Sequence, residues 1–185
     1  MPQLYQAARA GDRAQVQALI EADPTLAIFA AAILGDDAAM EALLAANRSL
    51  TTAVSADGWT PLHLAAHFGK TPVVRLLLNK GAQANALSTN ALRNSALHAA
   101  AAGRAAEAGR LLIEHGANVD ARQNGGWTPL HAAAQNGDIE FAGVLLEAGA
   151  SVNVRADNQQ RPLDLALIKG QQAMVDFLES HGAAL

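Results

Sequence analysis

Four five-residue segments recur along the chain at a nearly fixed interval, and no other feature restricts its fold as much. Trp59-Thr60-Pro61-Leu62-His63 returns as Trp127-Thr128-Pro129-Leu130-His131. Asn94-Ser95-Ala96-Leu97-His98 lies between them, and Gln160-Arg161-Pro162-Leu163-Asp164 follows. The fifth residues stand 35, 33 and 33 positions apart. A second landmark keeps pace at Gly81-Ala82, Gly116-Ala117, Gly149-Ala150 and Gly182-Ala183. Two landmarks on one period mean a stack of like units, each too small to bury its own apolar face, so the core forms between neighbours.

The content of a unit reads as two short helices. Thr60 and Thr128 can cap a helix through their hydroxyls, and Pro61 and Pro129 suit a first helical turn, where no N–H partner is lost. Leu62, Ala65 and Ala66 then fall on one stripe at helical spacing. Gly69, Gly137 and Gly170 stand where the chain must turn back, a place that favours positive φ. Val73-Val74 with Leu76-Leu77-Leu78, and Val144-Leu145-Leu146, supply the second helix. Composition fits such a stack. Hydrophobic residues make up 51% of the chain but aromatics only 4%, and roughly a quarter of the residues are alanine. Alanine buries little area in a conventional globule, whereas between thin layers small side chains let helices approach closely.

The pattern resembles the ankyrin repeat, whose unit is a β-turn, Thr-Pro-Leu-His, two short antiparallel helices and Gly-Ala-x-Val-Asn. Residues 58–85 and 126–153 match almost continuously, 94–121 with departures, and 161–183 as a terminal unit. Leu4 to Ala22 is similar to a polar N-terminal capping repeat, through Ala7-Ala8-Arg9-Ala10-Gly11-Asp12, and Leu26 to Ala46 to a further helix pair. Gly11 and Gly35 are only 24 residues apart, so these two units join without the usual hairpin. The resemblance implies an all-α solenoid of stacked helix-turn-helix units with β-hairpin loops. It would be a single domain over 1–185, with units near 1–23, 24–53, 54–87, 88–121, 122–154 and 155–185. Arg13, Gln15 and Gln17 at one end, and Gln172 and Glu179 at the other, would make the outer faces wettable.

The fourth unit departs most. Arg93 stands where Gly58 and Gly126 supply a turn glycine, Ala96 replaces the proline, and Gly103 falls one residue early, leaving Arg104 at the left-handed position. Gly109 lies within a helix, at a cost of about 1 kcal/mol relative to alanine. Sequence alone therefore predicts that residues 98–115 open before their neighbours.

Charge and composition narrow the function. With 13 Lys+Arg against 17 Asp+Glu, the net charge is −4. Arg9, Arg93, Arg104 and Arg122 are scattered among acids, so no basic stripe for nucleic acid is expected. The absence of Cys excludes disulfides and thiolate metal sites. The start of the chain lacks the order of a secretory signal, and the longest apolar run, Leu26 to Leu34, is about half a membrane span; a soluble, cytoplasmic and monomeric protein is expected. No Gly-x-Ser-x-Gly elbow, phosphate-binding glycine loop or His-Glu-x-x-His helix is present, so no enzyme, cofactor or metal is expected. Of the six histidines, His63, His98 and His131 share one repeat position and resemble the family's hydrogen-bonding histidine, while His115 and His181 precede Gly-Ala pairs. His63 and His67, four apart, are the one foothold for a metal-dependent enzyme.

The resemblance implies a non-catalytic module that binds a protein partner through its concave face and hairpin tips, with a dedicated enzyme inhibitor or immunity-type regulator as the alternative. Carried onto this chain, the tips are Asp57, Trp59, Leu92, Asn94, Asn124, Trp127, Asn158 and Gln160. The first-helix positions are Arg9, Ile33, Leu34, His67, Phe68, Gln135, Asn136, Ile168 and Lys169. Trp59 and Trp127 would serve as contact anchors or as stiffeners of their loops. Phe68 and His67, with Ile33 and Leu34, are expected to form an apolar patch.

Overall fold

The computed structural model describes residues 1–184. Within them, twelve α-helices form six pairs stacked in chain order. The pairs are α1 (Pro2–Ala10) with α2 (Arg13–Ala22), α3 (Ala27–Leu34) with α4 (Asp37–Ala46), and α5 (Pro61–His67) with α6 (Thr71–Asn79). Next come α7 (Ala96–Ala102) with α8 (Ala106–Glu114), α9 (Pro129–Asn136) with α10 (Ile139–Glu147), and α11 (Pro162–Ile168) with α12 (Gln172–Ser180). From α1 onward first helices pack on first helices, and from α4 onward second helices on second, which makes two layers. One core runs through both, from Leu4 to Leu178.

Local chemistry explains each boundary. Proline opens α5, α9 and α11, and Asp12, Asp36 and Asp138 cap α2, α4 and α10 by accepting a backbone N–H. Alanine fills the thin layer: in α7 every residue from Ala96 to Ala101 is buried, as are Ala65, Ala66, Ala133 and Ala134 in its neighbours. At the outer ends Arg13, Gln15, Gln17, Gln172 and Glu179 are exposed.

Two expectations need correction. The inter-unit loops are turns rather than β-hairpins: one antiparallel bridge, Leu87 with Ser95, is formed among the described residues. The loops close on short-range backbone bonds, as from Ser55 N–H to the Trp59 carbonyl (2.9 Å) with Gly58 N–H to Ser55 (2.8 Å), and from Gln123 to Trp127 (2.9 Å) with Gly126 to Gln123 (2.9 Å). Groups at the tips bond between units instead: Thr89 N–H to Gly58 (2.9 Å), Asn124 to Leu92 (2.8 Å) and Asp157 to Gly125 (3.0 Å). The fourth unit's glycines also have a different meaning. Arg104 does carry the left-handed turn, at φ 56°, and Arg93 and Gln159 adopt φ 51° and 67° at their loops. Gly103, however, is right-handed, and a Cβ there would overlap the His67 carbonyl oxygen. A Cβ on Gly109 would lie 2.7 Å from the ring of Phe141. Both glycines make room for the adjoining unit.

Candidate binding site

The repeated histidines form a ladder that fixes the side of the stack carrying the predicted site. In each, Nδ1 accepts from the hydroxyl at the head of its own helix: Thr60 to His63 (2.8 Å), Ser95 to His98 (2.9 Å) and Thr128 to His131 (2.9 Å). Nε2–H then donates to a carbonyl of the next unit, namely Asn94 (3.0 Å), Trp127 (3.0 Å) and Gln160 (3.1 Å). This pairing fixes the neutral Nε2–H tautomer. Burial lowers all three pKa values, that of His98 to about 4, although the carbonyl bond pulls the other way. In the last unit Asp164 takes the position. It binds the Arg161 guanidinium through both oxygens (3.0 and 2.8 Å) and is held below the usual carboxylate range by that bond.

His63 and His67 do not converge on a metal. His63 spends both ring nitrogens as above, and His67 Nδ1 lies 3.2 Å from the Ala99 carbonyl. Among the described residues no three His, Asp or Glu side chains are grouped so as to hold a metal ion. His115 and His181 cap helix ends, with Nδ1–H donating to Leu111 (2.9 Å) and Phe177 (2.8 Å).

Three of the chain's seven aromatic residues, Tyr5, Trp59 and Phe68, converge at one place with His67. Trp59 meets the His67 ring edge-on (5.3 Å between centroids), His67 meets Phe68 likewise (5.1 Å), and Tyr5 stacks on Phe68 (6.1 Å). Tyr5 comes from α1, two units away, and its hydroxyl donates to the Asp57 carboxylate, which also accepts from the Ser55 hydroxyl. Burial, then the bond to Asp57 and its negative charge, raise the phenol's pKa. Arg9, one turn beyond Tyr5, places its guanidinium 5.7 Å from the Phe68 ring centre. Together Tyr5, Arg9, Asp57, Trp59, His67 and Phe68 line a pocket of about 170 Å³. It borders a wider groove of about 760 Å³ floored by Ala102 and Gly103, with Arg104, Glu107 and Glu140 along its sides. Burial, outweighing the Ala99 bond, lowers the pKa of His67, with the Arg9 charge adding to the shift. Tyr5 is absent from the sequence-based set. Its only trace there is an aromatic one helical turn before Arg9, with nothing to show that it crosses the second unit.

The remaining predicted residues separate by environment. Leu92 (52% exposed), Ile168 (65%), Lys169, Asn124 and Asn158 face outward. Trp127 is partly exposed and stacks on His131 (5.7 Å). Gln135, Asn136 and Gln160 are partly exposed, with the Asn136 amide donating to Ala101 (3.2 Å). Asn94 is buried, its side chain held by the Ser88 hydroxyl (2.6 Å), so it presents no surface. The expected patch of Ile33 and Leu34 with Phe68 is not formed. Ile33 is 3% exposed, and Leu34 lies in a separate groove with Val16, Ile20 and Leu43, because the first two units meet without a loop between them.

A layered stack of paired helices with a surface row of polar and aromatic side chains defines a helical repeat protein. The family model for ankyrin repeats (3 copies) matches residues 4–88 and 84–156, and the chain belongs to that family. Such repeats generally mediate protein–protein interaction and are typically non-catalytic. No curated protein matches the sequence. No described helix is long and apolar enough to cross a membrane.

Proposed function

We propose that this chain is a non-catalytic module that holds a protein partner on its concave face, along the first-helix ends and loop tips. One observation carries the reading: in a chain with few aromatics, Tyr5, Trp59, His67 and Phe68 gather partly exposed around one pocket instead of entering the core. Aromatic and arginine side chains at such a place supply contact area and fixed polar groups, the composition of binding hot spots. Gln135, Asn136, Ile168 and Lys169 continue the row toward the far end, and Asp57, Leu92, Asn124 and Trp127 border it at the tips.

The test is retention of a partner from a lysate of the native cell by the immobilised protein. F68A should reduce retention by about tenfold or more, while R75A and R110A on exposed second-helix positions leave it unchanged. Thermal midpoints of all three must match the parent. Equal retention by F68A would place the contact surface elsewhere and overturn the reading.

A further inference from the structure

We infer that the Tyr5–Trp59–Phe68 pocket is a receptor for a guanidinium group, an arginine side chain presented by the bound partner. This rests on the reading above and names the chemistry of its anchor. Two observations meet here. Asp57 carries a carboxylate whose protein partners, the Tyr5 and Ser55 hydroxyls, are neutral, and it makes no ion pair among the described residues. Two hydroxyl donors leave such a carboxylate with acceptor positions and its full charge. The surrounding walls include aromatic rings, and a ring face attracts a cation electrostatically, the planar guanidinium most of all, as Arg9 over Phe68 already shows.

The second observation is that the site already holds a guanidinium at its rim. Arg9 lies over Phe68 without pairing to Asp57, so the ring accepts this group while the carboxylate stays unfilled. The pocket, of about 170 Å³ and lined by six residues, suits one side-chain head and not a folded element. His67 contributes a ring and not a competing charge, since burial keeps it neutral at pH 7. An incoming arginine would therefore stack within the pocket and bond Asp57, with Arg9 as the resident competitor.

The intact protein is titrated with N-acetyl-arginine amide and, separately, with its neutral isostere N-acetyl-citrulline amide at pH 7.5 and constant ionic strength. The indole N–H resonance of Trp59, assigned with W59F, reports binding. The arginine compound should give a saturable shift, and the citrulline compound should bind at least about tenfold more weakly. D57N should weaken the arginine compound about tenfold and R9A should tighten it severalfold, with circular dichroism and thermal midpoint showing both folded. If D57N does not fold, Y5F serves instead: it removes a hydroxyl donor, leaves the charge, and should bind arginine at least as tightly as the parent. Equal binding of the two compounds, or weaker binding by R9A, overturns the proposal. The titration uses no partner, so loss of partner retention by F68A and loss of guanidinium binding can each fail without the other.

Discussion

At the scale of single residues, the informative positions are those where a small side chain serves its neighbour. Gly109 sits inside α8, and intrinsic propensity favours alanine there by about 1 kcal/mol. The Phe141 ring, fully buried, occupies the space a Cβ would need. Overpacking of a closed core costs about 1–3 kcal/mol, which exceeds the helical gain. G109A should therefore lower the urea midpoint by an amount equivalent to about 1 kcal/mol. In an F141L background the same change should be neutral or stabilising, since the obstructing ring is gone; a double-mutant cycle reads the difference. Stabilisation by G109A in the parent would mean that Phe141 yields freely. Tyr5 shows the converse: a large side chain whose role lies two units away.

At the scale of elements, unequal burial sets the order of opening. Helix α2 buries Val16 alone, and α1 buries Leu4 and Ala7, while α7 buries six residues and α8 five. The glycines that mark the fourth unit as weak in the sequence are packing contacts in the structure. Native-state hydrogen exchange should thus show α2 opening before residues 98–115, the reverse of the order read from propensity. Lower protection across 98–115 than across α2 would restore that first order. The comparison shows where sequence is readable. Helix pairs, caps, turn glycines and the histidine register follow from local rules and a repeated spacing, and these appear as read. The loops' bonding between units, the burial of Asn94 and Ile33, and the reach of Tyr5 to Asp57 depend on contacts between non-adjacent residues. Each of these comes from how layers meet, which no window of one unit contains.

At the scale of the whole molecule, the histidine ladder makes stability a function of pH. His63, His98 and His131 are buried and neutral, each with Nδ1 facing a hydroxyl and a backbone N–H, and Nε2–H spent on the next unit. A proton on Nδ1 would set donor against the backbone N–H donor in a buried site. Their folded pKa values lie below the unfolded value of about 6.5, so between those limits the unfolded chain binds more protons and stability falls as pH falls. Above about pH 7 both states are neutral and the contribution is flat. For His98, with a pKa of about 4, the full loss is on the order of 3 kcal/mol, reached near pH 4. Asp164 acts in the same direction but later, because its carboxylate is depressed below an already acidic value and its loss begins only beneath about pH 4. The urea midpoint should accordingly be level from pH 8 to 7, fall steadily from 6.5 to 4, and recover on return to neutral pH. A midpoint constant between pH 6.5 and 4.5 would show that the ladder accepts protons without strain. Since stability in a stack is close to a sum of nearest-neighbour terms, the loss falls on the three interfaces that the histidines span, from α5 to α11. The first two units have no rung, so the acid-sensitive part of the molecule runs from the third unit to the last and excludes its thinly buried start.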